Sequence, residues 1–272
     1  MGACFGAMLG HFGRPSSAAA LAAVALGASI LVSCGGQSQA PTSSISIDCA
    51  AGVGEPGKPI ASGAKICNDV TVGAQVLSVD FSGQGAASDL AEIYPAPGVT
   101  DIHEAATFAQ GVATLHSSGS GQEAIMTPVS WLRAPAPANV VIAADFEHLS
   151  AGSLVGVSPR CTDDGCILVA VGADGKYTFS QRVGTKWTYP VEGDLNADTS
   201  FPASRLNALG ENRLIVWLNG SEMGATLNGR LLGTAKLNLP AIKEAFLYHH
   251  SLNANQATQV GVARIYFFAA TQ

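Results

Sequence analysis

The chain has 272 residues, with 14 Lys and Arg against 20 Asp and Glu, a formal charge of −6 and 7% aromatic residues. An acidic balance disfavours nucleic acid and anionic lipid headgroups as direct partners, since both require a basic footprint, and leaves neutral glycans, proteins and small molecules open. With 47% apolar and 12% charged residues, the chain is long enough to bury one large core.

The first element in chain order is an apolar run from Ala18 to Val32, preceded by Arg14-Pro15 and followed by Ser33-Cys34. About 15 residues fall short of the roughly 20 that span a bilayer as a helix, but suit the core of a cleaved signal. Leu31-Val32-Ser33-Cys34 resembles the bacterial lipoprotein signal. The resemblance implies a signal peptide over 1–33, diacylglycerol on Cys34 and a mature chain of 239 residues (272 less 33). A plain secreted protein and a buried core helix are the competing interpretations, and Met1 and Met8 both remain open as the start. Two acyl chains at about 0.8 kcal/mol per buried CH2 hold a protein stably at a bilayer. The expected location is extracytoplasmic and membrane-anchored. Gly35-Gly36 differ from the Asp that retains lipoproteins at an inner membrane, so the outer membrane is expected in a two-membrane bacterium. Residues 34–44, rich in Gly, Ser, Gln and Pro, form a flexible tether.

With Cys4 lost and Cys34 acylated, Cys49, Cys67, Cys161 and Cys166 remain, an even number in an oxidising compartment. Four cysteines allow three pairings; Cys49–Cys67 and Cys161–Cys166 are the simplest, the second clasping a hairpin loop. Their spacing and lack of added His ligands disfavour a redox or zinc role. Residues 45–74 are expected to be a disulfide-closed segment. Gly52-x-Gly54-x-x-Gly57 within it does not indicate a dinucleotide site, because Pro56 and Pro59 block the following helix.

From residue 75 to 272, turn signals recur every eight to twelve residues between β-branched and aromatic runs, the pattern of a sandwich or barrel. The predicted strands are Gln75–Phe81, Thr107–His116, Glu123–Ser130, Val140–Leu149, Leu154–Ser158, Cys166–Val171, Lys176–Arg182, Asn212–Leu218, Met223–Leu227, Arg230–Lys236 and Gln259–Ala269. Asp174-Gly175, Asn219-Gly220 and Asn228-Gly229 are hairpin turns. A short helix is expected only within Pro240–His249.

The succession Val140-Val-Ile-Ala-Ala-Asp-Phe-Glu147, Gly152-Ser-Leu-Val-Gly156, Ile167-Leu-Val-Ala-Val171, Asn212-Arg-Leu-Ile-Val-Trp217, Thr226-Leu-Asn-Gly-Arg-Leu231 and Val260-Gly-Val-Ala-Arg-Ile-Tyr-Phe267 resembles concanavalin A-like/laminin G-like domains. These include bacterial surface-bound versions and the keto-disaccharide hydrolase type. The resemblance covers roughly 75–270 and implies an all-β jelly-roll sandwich, a scaffold that hosts lectins, glycosidases and inert spacers alike.

A glycosidase needs two carboxylates facing each other, about 5 or 6.5–9.5 Å apart. Asp145 and Glu147, two apart on a strand, share a face and form the candidate pair; a solvated strand end is the competing interpretation. The Glu-x-Asp-x-x-Glu motif of laminarinase-type relatives and a Gly-x-Ser-x-Gly elbow are both missing from the sequence. Sugar binding uses an aromatic platform, for which Trp187, Tyr189 and Trp217 are candidates, with core packing as the alternative. Alternation places Leu214, Val216 and Leu218 on one face of a strand and Arg213, Ile215 and Trp217 on the other, and both faces are open to burial. Asp163, Asp164 and the run Glu192–Asp198 offer oxygens to calcium, which laminin G-like domains sometimes bind, but without a regular ligand loop no metal or other cofactor is expected. His249 and His250 are expected at the surface. The sequence thus points to a lipid-anchored, non-catalytic envelope protein that binds a glycan or an envelope protein, with a carbohydrate-active hydrolase or a structural spacer as alternatives.

Overall fold

The computed structural model describes residues 53–67, 70–81, 90–94, 106–117, 123–128, 139–161, 165–197, 206–207, 209–237, 244–252 and 255–271. The segments read as signal peptide and tether, and Cys34, Cys49, Asp163 and Asp164, lie outside these residues. Among the described residues no helix is long and apolar enough to cross a membrane.

The described elements are β1 (Lys65–Ile66), β2 (Val70–Asp80), β3 (Leu90–Tyr94), β4 (Ala106–Ala109), β5 (Val112–Ser117), β6 (Glu123–Pro128), β7 (Val140–Glu147), β8 (Ser153–Cys161), β9 (Gly165–Gly172), β10 (Lys176–Val183), β11 (Lys186–Asp194), β12 (Asn212–Asn219), β13 (Glu222–Leu227), β14 (Arg230–Lys236), β15 (Glu244–Ser251) and β16 (Thr258–Thr271). They form two antiparallel sheets. A nine-stranded sheet runs β1-β2-β16-β7-β12-β13-β14, with β5 on β16 and β4 on β5, and a seven-stranded sheet runs β11-β10-β9-β8-β15-β6-β3.

Alternation explains the packing between them. Ile142, Ala144 and Phe146 of β7, Leu214, Val216 and Leu218 of β12, and Val155 and Val157 of β8 meet Ile167, Val169 and Val171 of β9 and Phe179 of β10 in one buried cluster. On the long strand β16 the register shifts between Val262 and Arg264, so a bulge keeps both Val262 and Ile265 facing inward.

The nine-stranded sheet is buried on its second face as well. Val141, Ala143, Ile215, Trp217 and Phe268 point away from the inter-sheet core and are covered by Val53, Ile60, Ile66 and Cys67 of the N-terminal segment, with Val70 and Val72 of β2. The segment is held by more than apolar contact. Gly63 donates to the Val72 carbonyl at 2.7 Å, Val72 donates to that of Ala64 at 2.9 Å, and β1 pairs with β2.

Several predicted strands needed correction. Thr107–His116 is a hairpin: Gln110 and Gly111, at φ 53° and 83°, turn β4 back onto β5. Two consecutive positive φ values define a type I′ turn, and Gln is a poor signal for one. Pro240–His249 does not yield a helix among its described residues, because Glu244–Ser251 is a strand paired with β8 on one side and β6 on the other. Edge strand β11 was absent from the predicted set. Its pattern is largely exposed and it contains Pro190, which an edge tolerates. Asn228-Gly229 behaves as expected, at φ 50° and 82° between β13 and β14.

Candidate functional site

Asp145 and Glu147 share a strand but have different surroundings. Asp145 is fully buried, and its Oδ1 and Oδ2 accept hydrogen bonds from Nε and Nη2 of the equally buried Arg213 at 2.6 and 2.7 Å. Its Oδ2 also accepts the Gly57 amide at 3.0 Å, while Arg213 Nη1 donates to the Val53 carbonyl at 3.1 Å. The β-ladders explain this placement. Asp80, Arg264, Asp145 and Arg213 are successive cross-strand partners on β2, β16, β7 and β12, giving a row of alternating charge. Arg264 Nε donates to Asp80 Oδ2 at 3.3 Å, and the Arg213 guanidinium lies 5.5 Å from the Tyr266 ring centroid. Burial, reinforced by the Asp145 carboxylate, pushes the Tyr266 phenol above its usual range. Asp145 is therefore neither a solvated strand end nor a free acid: both oxygens are occupied in locking the N-terminal segment to the sheet. Glu147 is 19% exposed, with His148 Nε2 at 3.7 Å.

Trp217 is 1% exposed within the cluster under the N-terminal segment and presents no face to solvent. Its cross-strand partner is Gly224, where a Cβ would fall 2.1 Å from the indole; only glycine lets the ring lie against β13. Trp187 and Tyr189 are on β11. Trp187 is half-buried against Leu154, Cys166, Leu168, Ala170 and Tyr248, which form a cluster on the outer face of the seven-stranded sheet. Tyr189 is 38% exposed.

A groove of about 440 Å³ opens on that sheet at the end of β8, β9, β10 and β11. Leu154, Gly172 and Leu252 provide its apolar side, Thr178 and Gly193 its base, and Asp174, Lys176 and Glu192 its polar rim. Leu154 pairs with Gly172 and Thr178 with Glu192, so each pair presents side by side on one face. Lys176 Nζ lies 3.2 Å from Asp174 Oδ2, and Asp174 Oδ1 accepts the Lys176 amide at 3.1 Å, which sets the rim turn. Glu192 stands five residues from Trp187, about 16 Å along the strand at 3.3 Å per residue. The groove and the two aromatics thus sit towards opposite ends of β11. Sequence reasoning missed Leu154, Thr178 and Leu252, because they converge only once β8, β10 and the β15–β16 connection lie together.

Of the carboxylates considered for calcium, Asp194 Oδ1 accepts the Asn196 amide at 2.8 Å and Glu192 lines the groove, while Asp198, like Asp163 and Asp164, lies outside the described residues. Among the described residues no group of three His, Cys, Asp or Glu is placed to hold a metal ion. His249 and His250, expected at the surface, are 0% and 6% exposed.

No family model matches the chain. No curated protein matches it in sequence. Solved structures do share its architecture. A β-glucanase from Bacillus licheniformis superposes with a TM-score of 0.51 at 12% identity, covering 72% of this chain and 98% of its own. A structure described as a native glycosidic hydrolase gives 0.52 at 10% identity, over 71% of this chain and 94% of its own. A Bacillus subtilis protein of unknown function with a galectin-like fold gives 0.50 at 6% identity, over 75% and 99%. At these identities the likeness is one of fold, and the chain carries an all-β, concanavalin A-like jelly-roll sandwich.

Proposed function

We propose that this chain is a lipid-anchored, extracytoplasmic, non-catalytic binding protein whose outer-face groove takes a glycan. The observation that carries the proposal is the groove itself: an apolar side of Leu154 and Leu252 next to the Thr178 base and a polar rim of Asp174, Lys176 and Glu192. A pyranose presents the same division, C–H faces beside hydroxyls, and sites for small ligands combine an apolar lining with a few placed polar groups. Trp187 and Tyr189, farther along β11, suit a ligand extended along the strand. The fold shared with a β-glucanase makes glucans the first sugars to test.

The non-catalytic part is supported by Asp145. A carboxylate accepting two guanidinium bonds and a backbone amide is committed to structure, which leaves Glu147 without its expected partner. Acylation of Cys34 remains part of the proposal, as do the Cys49–Cys67 and Cys161–Cys166 bridges. The second bridge is supported by the register, since Cys161 stands directly opposite Cys166 in the β8–β9 ladder.

The test is a glycan-array screen of the full acylated chain in mild detergent, beside Thr178→Ala, Glu192→Gln, Leu252→Ala, Trp187→Ala and Tyr189→Ala. Binding that falls at least tenfold in the groove variants supports the site. Binding untouched by them places the ligand elsewhere, and no binding by a folded chain leaves an envelope-protein partner or a spacer. Release of shortened sugars would contradict the non-catalytic part.

A further inference from the structure

His249 lies on β15 opposite Val155, on the face turned to the inter-sheet core, and is fully buried. Its Nδ1 is 3.1 Å from the Leu154 carbonyl and its Nε2 is 3.2 Å from Thr258 Oγ1. A carbonyl only accepts, so Nδ1 carries the hydrogen; in the neutral ring Nε2 then accepts from the threonine hydroxyl. Both groove walls hang on this ring's neighbours. Leu154 supplies the carbonyl, and Leu252, three residues beyond His249, donates its amide to the Gly152 carbonyl at 2.8 Å. The rest of the corner is closed by uncharged bonds: Gln256 Nε2 to the Ala151 carbonyl at 2.7 Å, Ser251 Oγ to the Gln256 carbonyl at 2.8 Å, and the Ala173 amide to the Ser153 carbonyl at 2.9 Å.

Two further histidines stand near the ring. His250 is adjacent on β15, opposite Leu154, and His116 on β5 shares a 3.1 Å hydrogen bond with Thr107. Ser153 to Val155 of β8 and Thr258 to Val260 of β16 contain no titratable side chain. On β6 the residue opposite is Ala124, with Glu123 one place along, opposite His250; on β7, Glu147 stands opposite Gly261 of β16.

We propose that His249 is an acid sensor for the groove, whose protonation opens the corner formed by residues 150–154, 250–252 and 255–258 and withdraws the Leu154 and Leu252 walls. Burial pushes this imidazole down to about 4, against the opposing hydrogen bonds of Thr258 and Leu154 and with a smaller lowering from the like charge of His250 and His116. In an opened corner the ring is hydrated and returns to about 6.5. Linkage then multiplies the opening equilibrium by about 70 between pH 7.5 and 4.5. The effect on ligand rests on the groove being the binding site; the opening does not.

The test is hydrogen–deuterium exchange of the full chain at pH 7.5 and 4.5, corrected for the intrinsic pH dependence of exchange. Peptides covering 150–158 and 247–258 should open about 70-fold more at pH 4.5 than peptides covering β12. His249→Gln keeps a donor for Leu154 and an acceptor for Thr258 but gains no charge, so it should show no rise; His250→Gln and His116→Gln should retain it. Unchanged protection in the parent chain, or the same rise in His249→Gln, overturns the proposal. If His249→Gln does not fold, the His249 ring is titrated by NMR in the parent: a midpoint coinciding with corner opening supports the sensor, and one two or more units away overturns it. A glycan captured on the array should lose affinity at pH 4.5 in the parent and not in His249→Gln. If no glycan binds, the groove assignment fails while the exchange result still decides the sensor.

Discussion

Replacing Asp145 with alanine removes the acceptor of three hydrogen bonds and leaves Arg213 fully buried with its Val53 contact. An uncompensated buried charge created this way costs about 3–5 kcal/mol. In a sandwich of this size that lowers Tm by about 6–20 °C. The pair should also show the coupling expected of buried ions. Arg213→Met alone leaves a buried carboxylate and costs a similar amount, whereas Asp145→Leu combined with Arg213→Met removes both charges and should recover at least half of the summed loss. Glu147→Gln, by contrast, should stay within about 1 kcal/mol, since the group is partly exposed and its neighbour His148 lies 3.7 Å away. The assay is urea unfolding followed by near-UV circular dichroism for all four variants. An Asp145→Ala chain as stable as the parent, or a double variant as unstable as the two singles combined, would refute a structural role for this carboxylate and reopen a catalytic one.

Other consequences follow from the same packing. Trp217→Ala should cost about 3–5 kcal/mol by emptying the cluster under the N-terminal segment, and Gly224→Ala about 1–3 kcal/mol by driving a methyl into the indole; both are read from urea midpoints. A chain beginning at Val70 should bind an apolar fluorescent dye and melt earlier, because Val141, Ile215, Trp217 and Phe268 lose their cover; unchanged dye binding would contradict the packing. His249 makes global stability acid-sensitive. The folded ring, lowered to about 4, binds fewer protons than the unfolded one near 6.5, so stability falls by about 3 kcal/mol as pH drops from 6.5 through 4, with no effect above that window. His249→Gln should flatten that slope.

Local rules made much of the sandwich legible. Alternation in Asn212–Asn219 correctly separated Leu214, Val216 and Leu218 from Arg213, Ile215 and Trp217, and Asn228-Gly229 announced its turn. What lay beyond local rules depended on neighbours. Glu244–Ser251 is a strand because β8 and β6 flank it, a pairing that overrides its own weak preference. Asp145 was legible as a carboxylate on a strand, but its ion pair required knowing that β7 sits between β16 and β12, which brings together residues 68 apart in sequence. The groove combines four strands with the β15–β16 connection, and no short motif marks such a convergence.

The proposed glycan groove is tested most directly by titrating the strongest array hit, with glucans as the starting set, into the isotopically labelled full chain by NMR. Binding in the groove predicts saturable shifts at the amides of Gly172, Thr178, Glu192, Gly193 and Leu252, with the sugar signals unchanged over hours. Shifts confined to other surfaces, or the appearance of cleaved sugar, would contradict it.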